Sequence, residues 1–88
     1  MTLTINFMVD FLEDIKKIIS SQLGIPLGDI EEDTFLEADL NITDLEMEDL
    51  IATIEDKYEI KIPQNKISSF KTVSDIATYL YENIDIPD

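Results

Sequence analysis

The sequence predicts an all-α bundle with three main helices, one short helix, and a long loop joining the first two. Three observations carry this. Apolar residues recur at three- and four-residue steps in three separate stretches, the spacing that gathers side chains on one helix face. Two of those stretches open on a threonine followed three positions later by an acid, the pattern of a capped helix start. No stretch alternates apolar and polar residues as a half-buried strand does, and there is no internal repeat. The 88 residues are expected to form one domain, 1–88. Its core is expected to span about 6–84.

The first helix is expected from about Asn6 to Leu23, because Met8, Phe11, Leu12, Ile15, Ile18, Ile19 and Leu23 fall on one face. Asp10, Glu13 and Asp14 come early in it and Lys16 and Lys17 later, as the helix dipole favours. Gly24, with Pro26 two residues on, ends it. From Gly24 to about Ile42, Ile25, Leu27, Ile30, Phe35, Leu36, Leu40 and Ile42 follow no period. That predicts an ordered loop pinned to the core by individual apolar side chains, with a helical turn inside it.

Thr43-Asp44-Leu45-Glu46 reads as a capping box opening the second helix, with Thr43 as N-cap. Met47, Leu50, Ile51, Ile54 and Tyr58 form its apolar stripe, and Ile60-Lys61-Ile62-Pro63 closes it. Between Gln64 and Phe70 there is room for one short turn carrying Ile67. Thr72 and Asp75 cap a last helix lined by Val73, Ile76, Ala77, Leu80 and Ile84, ending near Asn83. Asp85 to Asp88 is expected to fray.

Charge and composition narrow the function. With no cysteine and no histidine, disulfides, thiolate chemistry and the commonest general base and metal ligand are absent, so an enzyme is not expected. Twenty acids against six lysines give a net charge of −14. Nucleic acid and anionic membrane surfaces would repel such a chain, whereas proteins with basic patches would be steered to it. No segment is long and apolar enough to span a bilayer. The N-terminus lacks a basic region and meets Asp10 early, so no secretory leader is expected, and a cytoplasmic monomer is. Asp39, Asn41 and Thr43 have the odd spacing of a calcium loop. Asp44 stands at that loop's glycine position and Leu50 at its glutamate position, so the pattern fails and no metal site is assigned.

On a helical wheel, the face of the second helix opposite the apolar stripe carries Glu48, Asp49, Ala52, Asp56 and, at its N-terminal end, Leu45. Two readings of Leu45 stand: a contact with the preceding loop, or an anchor for a partner's apolar pocket ringed by steering carboxylates. Charge is concentrated here. From Asp29 to Glu59 thirteen acids accompany one lysine, a local net of −12. Such a run serves either as a solubilising surface or as a docking face.

Three ordered blocks carry a family resemblance: IKKIISSQLGI, TFLEADLNITDLEMEDLIATIEDKYEIKIP and SFKTVSDIATYL. From about Phe11 to Ile84 the chain resembles an acyl carrier protein, apart from about one extra residue near Glu37 to Asp39. The resemblance implies an acyl-carrier-like four-helix bundle whose acidic second helix meets partner enzymes, possible synthase components among them. It also implies partner-docking roles for Leu45, Glu46, Glu48, Asp49, Glu55 and Asp56. Met47, Leu50, Ile51, Ile54, Ile67 and Ile76 are then either an acyl-chain pocket or plain core.

In that family the recognition helix opens on Asp-Ser-Leu, and the serine carries phosphopantetheine. The triplet falls here on Thr43-Asp44-Leu45, so Asp44 occupies the attachment position and no cofactor is expected on the chain as it stands. Ser20, Ser21, Ser68, Ser69 and Ser74 lie elsewhere. The alternative is a genuine carrier of fatty-acid or polyketide synthesis, with Asp44 an engineered replacement or with Thr43 modified instead.

Overall fold

A computed structural model describes the backbone of residues 3–84 and the side chains of residues 8–84. The order is α1 (Leu3–Leu23), a 3-10 turn (Leu27–Asp29), α2 (Asp44–Tyr58), α3 (Gln64–Ile67) and α4 (Val73–Asn83). Helix α1 begins three residues before the expected Asn6, since no glycine or proline interrupts that stretch. The expected fraying at Asp85 to Asp88 lies outside the described residues.

Helix α1 is the common partner. It packs most extensively on α4, then on α2 and the 3-10 turn. Phe11, Ile15 and Ile19, one per turn, form its buried ridge. Leu50, Ile51 and Ile54 answer from α2, and Val73, Ile76, Ala77 and Leu80 from α4. Each fully closed isoleucine or leucine contributes about 1.5–3 kcal/mol relative to exposure. Gly24 ends α1 with φ of +68°, a left-handed conformation that only glycine adopts without strain, and its N–H donates to the Ser20 carbonyl.

The long loop is ordered, but not all of it is pinned as the sequence suggests. Ile30, Leu36 and Ile42 are buried and Leu40 is partly so. Leu27 and Phe35 stay exposed, a correction to their expected role. Main-chain pairing holds the loop instead. Phe35 and Thr72 form an isolated antiparallel bridge, in which Leu36 N–H donates to the Lys71 carbonyl and Val73 N–H to the Thr34 carbonyl. Ser74 N–H donates to the Glu32 carbonyl. Two of the first amide groups of α4, which no helix can satisfy internally, are thereby bonded by the loop. Thr72 and Asp75 complete the predicted capping box.

Tyr58, at the end of α2, ties that helix to α1. Its ring meets Phe11 edge-on at 5.6 Å, and its hydroxyl donates to Asp14 Oδ2 at 2.7 Å. Burial, followed by that bond and the nearby acid charges, raises the Tyr58 pKa above the ordinary phenol value. Among the described residues no helix is long and apolar enough to cross a membrane.

Two measurements follow. Tyr58→Phe removes the bond and keeps the ring, and should cost about 1 kcal/mol in chemical denaturation. Because the folded-state pKa is raised, the hydroxyl's contribution is complete below the unfolded phenol pKa of about 10 and is lost as pH rises above it. Stability of the parent should therefore fall in alkali more steeply than that of Tyr58→Phe; equal slopes would refute the assignment.

Candidate functional site

The start of α2 is built by a reciprocal cap. Thr43 is extended (φ −80°, ψ 166°), and its Oγ1 accepts from Glu46 N–H at 3.1 Å. The Glu46 Oε1 accepts from Thr43 N–H at 3.0 Å and from the Thr43 hydroxyl at 3.2 Å. The hydroxyl is thus engaged both as acceptor and as donor. Asp44 follows as the first helical residue and is exposed, its carboxylate set where the helix dipole favours an anion. Asn41 just before has φ of +57°, a conformation that asparagine tolerates better than most residues.

The proposed docking residues divide into two groups. Leu45 is 69% exposed, the most open large apolar residue among the described residues, and Glu48, Asp49 and Asp56 are exposed as well. Glu46 and Glu55 are only partly exposed, and both are engaged inside the molecule. Glu46 completes the cap. Glu55 Oε2 accepts from Ile62 N–H at 2.7 Å, holding the chain after α2 against the helix. The helical wheel places Glu48, Asp49 and Asp56 on the open face; Glu55 is expected only as a docking residue, and no local pattern signals its bond to Ile62.

Beside this face lies a groove of about 730 Å³ between α2, the Phe35–Ala38 turn and the segment from Ile62 to Lys71. Leu36, Ile42, Ile51, Ile62 and Phe70 are buried beneath it. Phe35, 49% exposed, and the half-buried Met47 and Ile67 wall it. Of the six residues read as pocket or core, Met47, Ile51 and Ile67 line the groove. Leu50, Ile54 and Ile76 are closed within the core and do not. The sequence left out Phe35, Ile62, Phe70 and Lys71 as groove residues. Only the pairing of Phe35 with Thr72 brings the two segments together, and no local period signals it.

Hydroxyls near the groove are few. Besides Thr43 there is Ser68, exposed, whose hydroxyl donates to the Gln64 carbonyl at 3.1 Å. Among the described residues no group of three or more acids is disposed to hold a metal ion.

Comparison with known proteins places this geometry. The family model described as "phosphopantetheine attachment site" matches residues 13–80. The acyl carrier protein of Chlamydia muridarum is 36% identical over 70 residues, covering 80% of this chain and 91% of that protein. That of Helicobacter hepaticus is 28% identical over 75 residues, covering 85% and 99%. Among solved structures, the solution structure of MacpD, an acyl carrier protein of Pseudomonas fluorescens involved in mupirocin biosynthesis, superposes with a TM-score of 0.77. It is 26% identical, and the match covers 99% of this chain and 83% of that one.

The cap gives a direct test. Thr43→Ala should cost about 1 kcal/mol in urea unfolding and Thr43→Ser only a fraction of that, because serine retains the oxygen that accepts from Glu46. Equal losses for the two variants would mean that the cap does not hold α2.

Proposed function

The chain belongs to the phosphopantetheine-attachment family of acyl carrier proteins, and from that membership we propose that it is a docking module whose acidic α2 meets basic surfaces on partner proteins, without an arm of its own. Membership makes it a carrier-type protein and not an enzyme. A monomer working in the cytoplasm belongs to the same reading, as does a synthase component for a partner.

The observation that carries the reading is Asp44, an exposed carboxylate on the first turn of α2. It stands where the family resemblance puts the serine. Phosphopantetheine is joined through a phosphodiester to a hydroxyl, and a carboxylate offers none. The residues at this helix mouth therefore do not fit the group. The one hydroxyl beside it, on Thr43, is held in the cap by Glu46. Asp44 preserves a negative charge at a helix N-terminus, worth about 0.3–1 kcal/mol to the helix. Leu45, Glu48, Asp49 and Asp56 remain open for a partner, an apolar centre among carboxylates that would steer a basic surface and resist like-charged ones.

A second reading, a genuine carrier in fatty-acid or polyketide synthesis, is favoured by the relatives' names and by the extent of the family match. It needs modification of Thr43, or an engineered change at Asp44.

Intact-mass measurement after incubation with a phosphopantetheinyl transferase and coenzyme A separates the two. The parent should keep its mass while Asp44→Ser gains one arm. A gain by the parent, mapped to Thr43, would establish the second reading.

Docking is tested with a purified basic synthase component. Glu48→Lys with Asp49→Lys should weaken the complex by about tenfold or more and flatten its salt dependence. Glu46 and Glu55 are poor choices for this reversal, because their loss disturbs the cap and the Ile62 contact.

A further inference from the structure

One segment of the chain carries the opposite sign. From Ile60 to Ser74 there are three lysines, Lys61, Lys66 and Lys71, and no acid, a local net of +3 in a chain of −14. Acids stand directly on either side of it, at Glu59 and Asp75. All three lysines are exposed. Each is next to a residue that turns inward: Lys61 precedes the buried Ile62, Lys66 precedes the half-buried Ile67, and Lys71 follows the buried Phe70. The apolar neighbours hold the backbone down while the ammonium groups stay in water. Among the described residues the ion pairs are Lys16 with Glu13 and Lys57 with Asp14, so no described acid neutralises these three.

The segment is also held in place. Near its start, Glu55 Oε2 accepts from Ile62 N–H. Towards its other end, Asp75 Oδ2 accepts from Lys71 N–H at 2.8 Å, and the Lys71 carbonyl accepts from Leu36 N–H at 2.9 Å. Ser68 and Ser69 give their hydroxyl protons to the Gln64 and Lys66 carbonyls. Little ordering of the backbone is left to be done when a partner meets it. What it offers is positive charge on a fixed frame.

Sign decides the class of occupant. A surface that is basic throughout, the kind that α2 attracts, would meet like charge here. A second copy would bring a net charge of −14 to a molecule of the same charge, and that repulsion opposes what three lysines gain. A few carboxylates set beside a partner's basic patch satisfy both signs at once. We infer that Lys61, Lys66 and Lys71 receive an acidic segment of the partner protein, so that a partner is chosen by a surface of two signs and a purely basic protein is resisted. The inference rests on the docking reading of α2 and adds the element that discriminates among basic partners. It sets orientation as well, because a partner turned end for end would place like charges together.

The test uses the whole chain and two synthetic peptides of about 24 residues, roughly 36 Å when helical. One has a block of lysines followed by a block of glutamates. The other has the same lysine block followed by glutamines. Binding is read by fluorescence anisotropy. Lys61→Glu, Lys66→Glu and Lys71→Glu together should weaken the lysine–glutamate peptide by about tenfold and tighten the lysine–glutamine peptide by about twofold. The milder pair Lys66→Gln with Lys71→Gln should move both affinities in the same directions by less, and carries the test if the triple variant does not fold by circular dichroism. Lys17→Glu, an exposed lysine on α1, should leave both affinities within about twofold.

If the triple variant tightens both peptides, or leaves the lysine–glutamate peptide unchanged, the inference is overturned. Docking through α2 then still stands, provided that Glu48→Lys with Asp49→Lys weakens the lysine–glutamine peptide. If neither peptide binds the parent, or that reversal has no effect, both readings fall. Dimers of the parent at low salt in analytical ultracentrifugation, absent from the triple variant, would overturn the inference in favour of a second copy as the occupant.

Discussion

The amide groups at helix starts must find acceptors, and the way this chain supplies them positions nearly everything else. Helix α2 is satisfied from within its own first turn, by Thr43 and Glu46. Helix α4 is satisfied partly by Thr72 and Asp75 and partly by the carbonyls of Glu32 and Thr34, which come from the long loop. An unbonded buried amide costs about 1–3 kcal/mol, so these acceptors are strongly held. The loop is therefore fastened to the start of α4 at one point and sunk into the core at Ile42, just before Thr43. Asp44 and Leu45 have little freedom in where they emerge. The groove is a by-product of the same fastening, since it lies between the fastened turn at Phe35 and the chain after α2.

Electrostatics opposes this arrangement. The concentration of acids on the loop and α2 places like charges close together, and self-repulsion of that kind destabilises a compact chain. The structure relieves only some of it: Glu46 accepts bonds in the cap, Glu55 takes the Ile62 amide, and Asp39 on the loop takes the Phe35 amide. Glu48, Asp49 and Asp56 are exposed. A basic partner that neutralised them would stabilise the fold as it bound, by the ordinary linkage between binding and folding. On α2 the carboxylates that hold the molecule together, Glu46 and Glu55, are thus different residues from the exposed Glu48, Asp49 and Asp56.

What the sequence could reveal follows the range of the interactions. Helical periodicity and capping depend on neighbours within four positions, so α2, α4 and both boxes were legible, as was Gly24 at the end of α1. The exposure of Leu45 also followed from the wheel. The bond from Ile62 to Glu55 spans seven residues, and the Phe35–Thr72 bridge joins segments far apart in the chain. Neither leaves a periodic trace. For that reason Glu55 reads as a surface acid, Phe35 reads as a core residue, and half of the groove goes unrecognised. Leu27 misleads in the same way, because an isolated apolar residue in a loop carries no sign of which way it faces.

A family match and a covalent function draw on different residues. The match over residues 13–80 spans Ile15 and Ile19 of the buried ridge of α1, the stripe of α2, the Thr72 cap and the closed face of α4. Changing any of these would be felt throughout a close-packed interior. Attachment of an arm, on the family resemblance, depends on one side chain, and the residue at that position here, Asp44, is exposed. An aspartate there suits the helix start, since the dipole favours its charge, and it leaves the acidic face beside it unchanged. On the armless reading proposed above, the fold and the acidic face persist with a carboxylate in the place of the serine, and α2 keeps its shape and its charge.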